Sequence, residues 1–214
     1  MRYIKYLFHE DTMYQQFNFN PSLYFTLWLL LALTIPSVAS AATFEVHSHY
    51  HIHPDGTVTD IRNGLMWKRC AEGQTWTGTT CSGDTLAYDT ARTWDRIMPN
   101  GQQKSWPAFA GYSDWRVPTI KELRTLVYCS NGVPQEKAWD NTCGSNGWDS
   151  RDYQQPTIDQ VAFPNTHATW FWSASAYASD SRYAWVLGFH GGQGYWTNRS
   201  YAVQVRLVRV GRVQ

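Results

Sequence analysis

Four histidines in "HSHYHIHPDG", His47, His49, His51 and His53, stand at every second position. Imidazole nitrogens ligate transition metals and change charge near neutral pH, so such a row is either a metal site or a wet strand face. A strand would put all four on one side and Val46, Tyr50 and Ile52 on the other. Neighbours on one face lie about 7 Å apart, so two could share an ion, but a closed zinc site needs four ligands converging tetrahedrally. One strand cannot supply that. The sequence therefore predicts a solvent-facing histidine row, no specific metal site and no cofactor.

Cys70, Cys81, Cys129 and Cys143 are the only cysteines. A four-cysteine zinc cluster wants close pairs a few residues apart, which are missing. Three disulfide pairings are open. Cys70 with Cys81 and Cys129 with Cys143 are the expected ones, because each closes a short loop rich in Gly, Thr, Ser and Asn.

Aromatic residues are the other chemical resource, with 12 Trp, 13 Tyr and 9 Phe. Flat rings beside polar groups can grip sugars by stacking on the apolar faces of the pyranose. Candidate outward rings are Tyr177, Tyr195 and Trp196, in or beside turns, with Trp139 and Trp148 in a long loop. Arg182, Arg199 and Arg212 could meet sulfate or carboxylate groups, since guanidinium binds such anions through two parallel hydrogen bonds. His167 and His190 could act as general bases, but no Ser, Cys or acid is placed beside them by a motif. The expectation is a binding protein and not an enzyme.

The elements that must hold these groups begin after a targeting segment. "LYFTLWLLLALTI" (23–35) is an uncharged apolar run too short for a typical membrane span, and Ala39-Ser40-Ala41 is a small-x-small cleavage site. Residues 1–41 read as a signal peptide and 42–214 as one exported domain, periplasmic, cell-surface or secreted, with no membrane span after cleavage. A chain of this length buries about 70% of its unfolded surface. A net charge of +1 gives no argument for nucleic acid.

Residues 43–61 read as a strand pair turning at "PDGT". The stretch 84–98 has helical spacing of Leu86, Ala87, Ala91, Trp94 and Ile97. A second helix starts at Thr119, with Glu122 three residues on as a capping box and Ile120, Leu123, Leu126 and Val127 as its apolar face. Residues 130–167 are loop-like. The last fifty residues read as strands at 169–175, 183–189, 195–197 and 202–210. The fold class is α+β: antiparallel sheet, two helices and a long loop region.

At "TVTDIRNGLMWKRC", "GYSDWRVPTIKELRTLV", "FPN", "FWSAS", "YAWVLGF" and "VRLVR" the chain resembles the C-terminal domain family of the Legionella collagen-like adhesin, found in bacterial exported proteins. The blocks run from about residue 54 to 210. The resemblance implies a C-type-lectin-like fold with paired terminal strands and a long loop region in its second half. For the name-giving adhesin it implies binding to sulfated glycans, often as a homo-trimer. Burial is expected for Trp67, Trp115 and Trp172, an ion pair for Arg116, and a structural role for at least one of Arg206 and Arg209. The calcium-binding tripeptides of lectins, Glu-Pro-Asn, Gln-Pro-Asp and Trp-Asn-Asp, are absent, though Asp149, Asp152 and Asp159 share the long loop. Two other readings are an assembly subunit without its own ligand, and an enzyme related to the formylglycine-generating oxidases, whose chemistry needs reactive thiols.

Overall fold

A computed structural model describes residues 45–84, 93–131, 143 and 152–211. All lie in one compact unit, Ala42–Gln214. Trp139, Trp148, Asp149 and Arg212, residues 1–41 and most of the expected first helix fall outside the described residues.

The architecture is α+β with three antiparallel sheets, where the sequence suggested one. The largest has the order β1-β2-β3-β4-β10, from β1 (Glu45–His47), β2 (Tyr50–Ile52), β3 (Thr57–Asp60), β4 (Leu65–Lys68) and β10 (Val208–Val210). A small ribbon pairs β5 (Thr75–Trp76) with β6 (Cys81–Ser82), and β7 (Trp170–Ala176), β8 (Tyr183–Gly188) and β9 (Gln193–Asn198) form the third sheet. Among the described residues two short α-helices, α1 (Trp94–Ile97) and α2 (Ile120–Arg124), lie between the ribbon and the third sheet in sequence. The chain's last strand β10 pairs with β4 and not with β1, which lies at the opposite edge of the sheet.

The histidine row is broken by a turn. His47 pairs with Tyr50 across a two-residue hairpin whose first turn residue, Ser48, has φ 58°. His51 is opposite Thr59, and the ring Nε2 of His53 bonds the Thr59 hydroxyl at 2.9 Å. His47 is opposite Tyr50, on the other face of the sheet, and His49 is in the turn itself. Period-two spacing holds for His51 and His53 only; the single strand expected through all four is wrong because a tight turn costs just two residues.

Helix α2 starts as its sequence dictates. The Thr119 hydroxyl accepts the Glu122 amide at 3.2 Å, and the Thr119 amide donates back to Glu122 Oε2 at 2.8 Å. Both Glu122 oxygens also accept from Arg116, at 2.9 and 2.5 Å. Burial pushes the Glu122 carboxyl up, but Arg116 and Thr119 outweigh it and hold it below its ordinary pKa. One carboxylate therefore fixes both the helix start and the strand-like segment before it.

Two apolar clusters fill the interior. Tyr50, Val58, Trp67, Leu123, Phe163, Phe171 and Leu187 belong to one, and Met66, Trp94, Trp115, Trp172, Val186 and Leu207 to the other. Neighbours Met66 and Trp67 point into different clusters, as do Phe171 and Trp172, and Val186 and Leu187. Strands β4, β7 and β8 are thus buried on both faces, which is why they read as continuous apolar runs.

Residues 204–210 tie the sheets together and form a regular strand only at their end. The Trp172 amide donates to the Gln204 carbonyl, Glu72 to Val205 and Lys68 to Leu207. Arg206 is fully buried along this path. It donates to the carbonyls of Lys68 and Arg69 and to the Thr166 hydroxyl, and lies over the Phe163 ring. Burial pulls its pKa down to about 9, so it stays a cation at neutral pH. Arg209 is nearly buried too, and binds Asp114 at 2.7 Å. Both arginines of "VRLVR" are structural.

Candidate functional site

The sheet β7-β8-β9 is rich in rings, with Trp170, Phe171 and Trp172 on β7, Tyr183 and Trp185 on β8, and Tyr195 and Trp196 on β9. Its register sets Trp172 beside Val186 and Val186 beside Tyr195, and Trp170 beside Gly188. Residues opposite one another share a face, as do residues two apart, so Trp170, Val186, Tyr195 and Thr197 lie on one side. Gly188 makes room there: a Cβ would come within 2.5 Å of the His190 ring and 3.0 Å of the Trp170 ring.

After β9 the chain turns back across this face. The Asn198 side chain accepts from the amide and the hydroxyl of Ser200, at 3.0 and 2.8 Å, and the Tyr201 amide closes the turn on the Asn198 carbonyl. This turn holds out Tyr201, which is 61% exposed. Between turn and sheet runs a groove of about 570 Å³ lined by Trp170, Val186, Tyr195, Thr197, Ser200, Tyr201, Ala202 and Val203. Trp170 and Tyr195 have ring centroids 5.9 Å apart with planes tilted by 41°. Among the described residues the lining combines three rings, three aliphatic side chains and two aliphatic hydroxyls, and carries no charged side chain.

Of the rings singled out in the sequence, Tyr195 lines the groove. Tyr177 and Trp196 do not; they stack on each other at 4.9 Å with Trp185 at their edges. Trp196 also stacks with Tyr195 at 4.9 Å, so this cluster backs the groove's rim.

The two described arginines face elsewhere. Arg182 forms a forked pair with Asp180, its Nη2 at 2.6 Å from Oδ2. That pairing, above all its hydrogen bonds, lowers the Asp180 carboxyl pKa to about 2. The Arg199 guanidinium lies 4.0 Å over the Trp94 ring and its Nε donates to the Tyr183 carbonyl at 3.2 Å.

Trp170, Thr197, Ser200 and Tyr201 were missed by sequence reasoning. Trp170 and Tyr195 become neighbours only through the register of β7, β8 and β9. Tyr201 could have been found, since "NRSY" has the composition of a turn that projects its last residue.

Neither histidine considered for catalysis meets a nucleophile among the described residues. The His190 ring contacts the Gln193 amide and the edge of Trp170, and burial lowers its pKa. His167 Nδ1 is 3.4 Å from the Gln204 amide. The cysteines form the two expected bridges, Cys70–Cys81 and Cys129–Cys143, which leave no free thiol. Among the described residues no cluster of His, Cys, Asp or Glu has the geometry to hold a metal, and no helix is long and apolar enough to cross a membrane.

The family model of the Lcl C-terminal domain matches residues 56–209. The chain belongs to the Lcl C-terminal domain family. The match takes in β3 through Arg209, and so contains every residue of the groove. No curated protein and no solved structure gives a significant match. The two disulfides fit a protein of a non-cytoplasmic, oxidising compartment.

Proposed function

We propose that this member of the Lcl C-terminal domain family is an exported, non-catalytic module of C-type-lectin-like fold that binds a neutral glycan in the groove beside β7-β8-β9. The carrying observation is the convergence of Trp170, Tyr195 and Tyr201 with the hydroxyls of Thr197 and Ser200 in one concave space. Binding sites for small molecules combine an apolar lining with a few polar groups that fix orientation. Ring faces meet the C–H faces of a pyranose, and hydroxyls meet its rim.

A neutral sugar is favoured over a sulfated one because Arg182 and Arg199 are occupied by Asp180 and by Trp94 and do not line the groove. Binding without catalysis is supported by the disulfides, which take up every thiol that an oxidase of this fold would need.

A glycan array probed in low and in high salt tests the reading. Salt screens charge contacts over a Debye length of about 8 Å at physiological ionic strength, whereas ring stacking is insensitive to it. The expected outcome is retention of neutral oligosaccharides in both buffers, weakened at least about tenfold by Tyr195→Ala, roughly 1.4 kcal/mol. Binding confined to anionic glycans and lost in high salt would contradict it. Binding to no glycan would favour an assembly subunit.

A further inference from the structure

A second cavity, of about 460 Å³, shares no residue with the groove. It is enclosed by the β1-β2 hairpin, the turn between β3 and β4, the residues after α2 and the loop at Asp159. Among the described residues its charged and titratable wall is His47, His49, Arg62 and Asp159, with Tyr50 and the half-exposed Tyr128 beside them. Asp60 is fully buried behind His49.

The ionic contacts are arranged in two pairs and a remainder. His47 Nε2 is 3.1 Å from Asp159 Oδ2, and His49 Nε2 is 4.0 Å from Asp60 Oδ1. Both carboxylates are also braced by the protein: Asp159 accepts the amides of Val161 and Ala162, and Asp60 accepts those of Arg62 and Asn63 and the Asn63 side chain. The Arg62 guanidinium is the remainder. Exposed at the cavity's rim, it makes no hydrogen bond or ion pair with any described side chain or carbonyl.

With the His49 imidazole neutral, the Asp60 and Asp159 carboxylates outnumber the Arg62 guanidinium, and an anion is repelled. With His49 protonated, two cations face two carboxylates, and the repulsion is lifted. We propose that this cavity is an acid-activated site for a small organic carboxylate, bound by the fork of Arg62 and packed against the Tyr128 ring and the aliphatic wall of Leu126 and Val127. The planar fork of arginine matches a carboxylate through two hydrogen bonds, and the apolar wall selects an organic ion over an inorganic one. The volume lies within the usual range for small-molecule sites, about 300–1,000 Å³. Burial lowers the His49 pKa, against the raising effect of Asp60 and Asp159, so the loss of the negative excess comes on the acidic side of neutrality.

Benzoate, ionised throughout, is a suitable probe, with benzamide as its uncharged isostere. Calorimetric titration of the purified protein at about pH 5.5 and about pH 7.5 should show benzoate binding at least about tenfold tighter at the lower pH, and no such change for benzamide. Arg62→Gln should abolish benzoate binding at both values, His49→Gln should flatten the pH dependence, and Tyr195→Ala should change neither. Arg62 is exposed, so its substitution leaves the fold intact. No benzoate binding, equal binding at the two pH values, or binding that survives Arg62→Gln would overturn the proposal.

Discussion

At the scale of single residues, arginines do more for this fold than for any ligand. Arg206 is a buried cation with no ion pair among the described residues, held by the carbonyls of Lys68 and Arg69, by Thr166 and by the Phe163 ring. Removing one partner of a buried, hydrogen-bonded charge leaves desolvated groups unpaired as well as a void. Arg206→Ala is expected to lower stability by about 3–5 kcal/mol, read from chemical denaturation, whereas Arg182→Ala at the surface should leave the midpoint close to that of the parent protein. Comparable midpoints for the two variants would contradict the assigned roles. The Arg206 role was half legible: two arginines three apart on a strand must face opposite sides, but "VRLVR" does not say that both sides are interior.

At the scale of elements, the capping box and the disulfide loops were read correctly, and the first hairpin and the long-range pairings were not. The capping box of Thr119 and Glu122 and both disulfides depend on residues within fifteen positions of each other, and all are present as expected. The histidine hairpin misled because alternation survives a two-residue turn unchanged in the sequence while the faces exchange. Residues 202–210 misled for a different reason. Their apolar composition suits burial on both sides, and they meet it by crossing from β7 to β4, with regular pairing only at Val208–Val210. The groove belongs to the same class of failure. Its two sheet-borne rings are 25 residues apart in sequence, and only the register of three strands brings them together.

At the scale of the whole molecule, three partly buried histidines give stability a common dependence on pH. Burial lowers the pKa of His49, of His53 and of His190, each below the ordinary imidazole value of about 6.5. Each is therefore easier to protonate in the unfolded chain, and stability falls as pH drops through the ordinary histidine range, from about 7 toward about 5. Below that, Asp114 and Glu122, held low by their arginines, lose their share as they protonate. A loss on the order of 1 kcal/mol lowers the melting temperature of a domain this size by about 2–4 °C. Melting curves across that range check it, and His190→Gln should reduce the slope. A melting temperature that rises on acidification would show these imidazoles to be charged in the folded protein.

The central claim is that the groove between β7-β8-β9 and the Tyr201 turn holds a neutral sugar. Amide and indole chemical shifts, followed while the best-bound neutral oligosaccharide is added, test it most directly. The largest changes are expected on the Trp170 indole and on the amides of residues 195–203, with Arg182 and the His47–Arg62 region unmoved. Changes centred away from the groove, or no changes at saturating sugar, would contradict it.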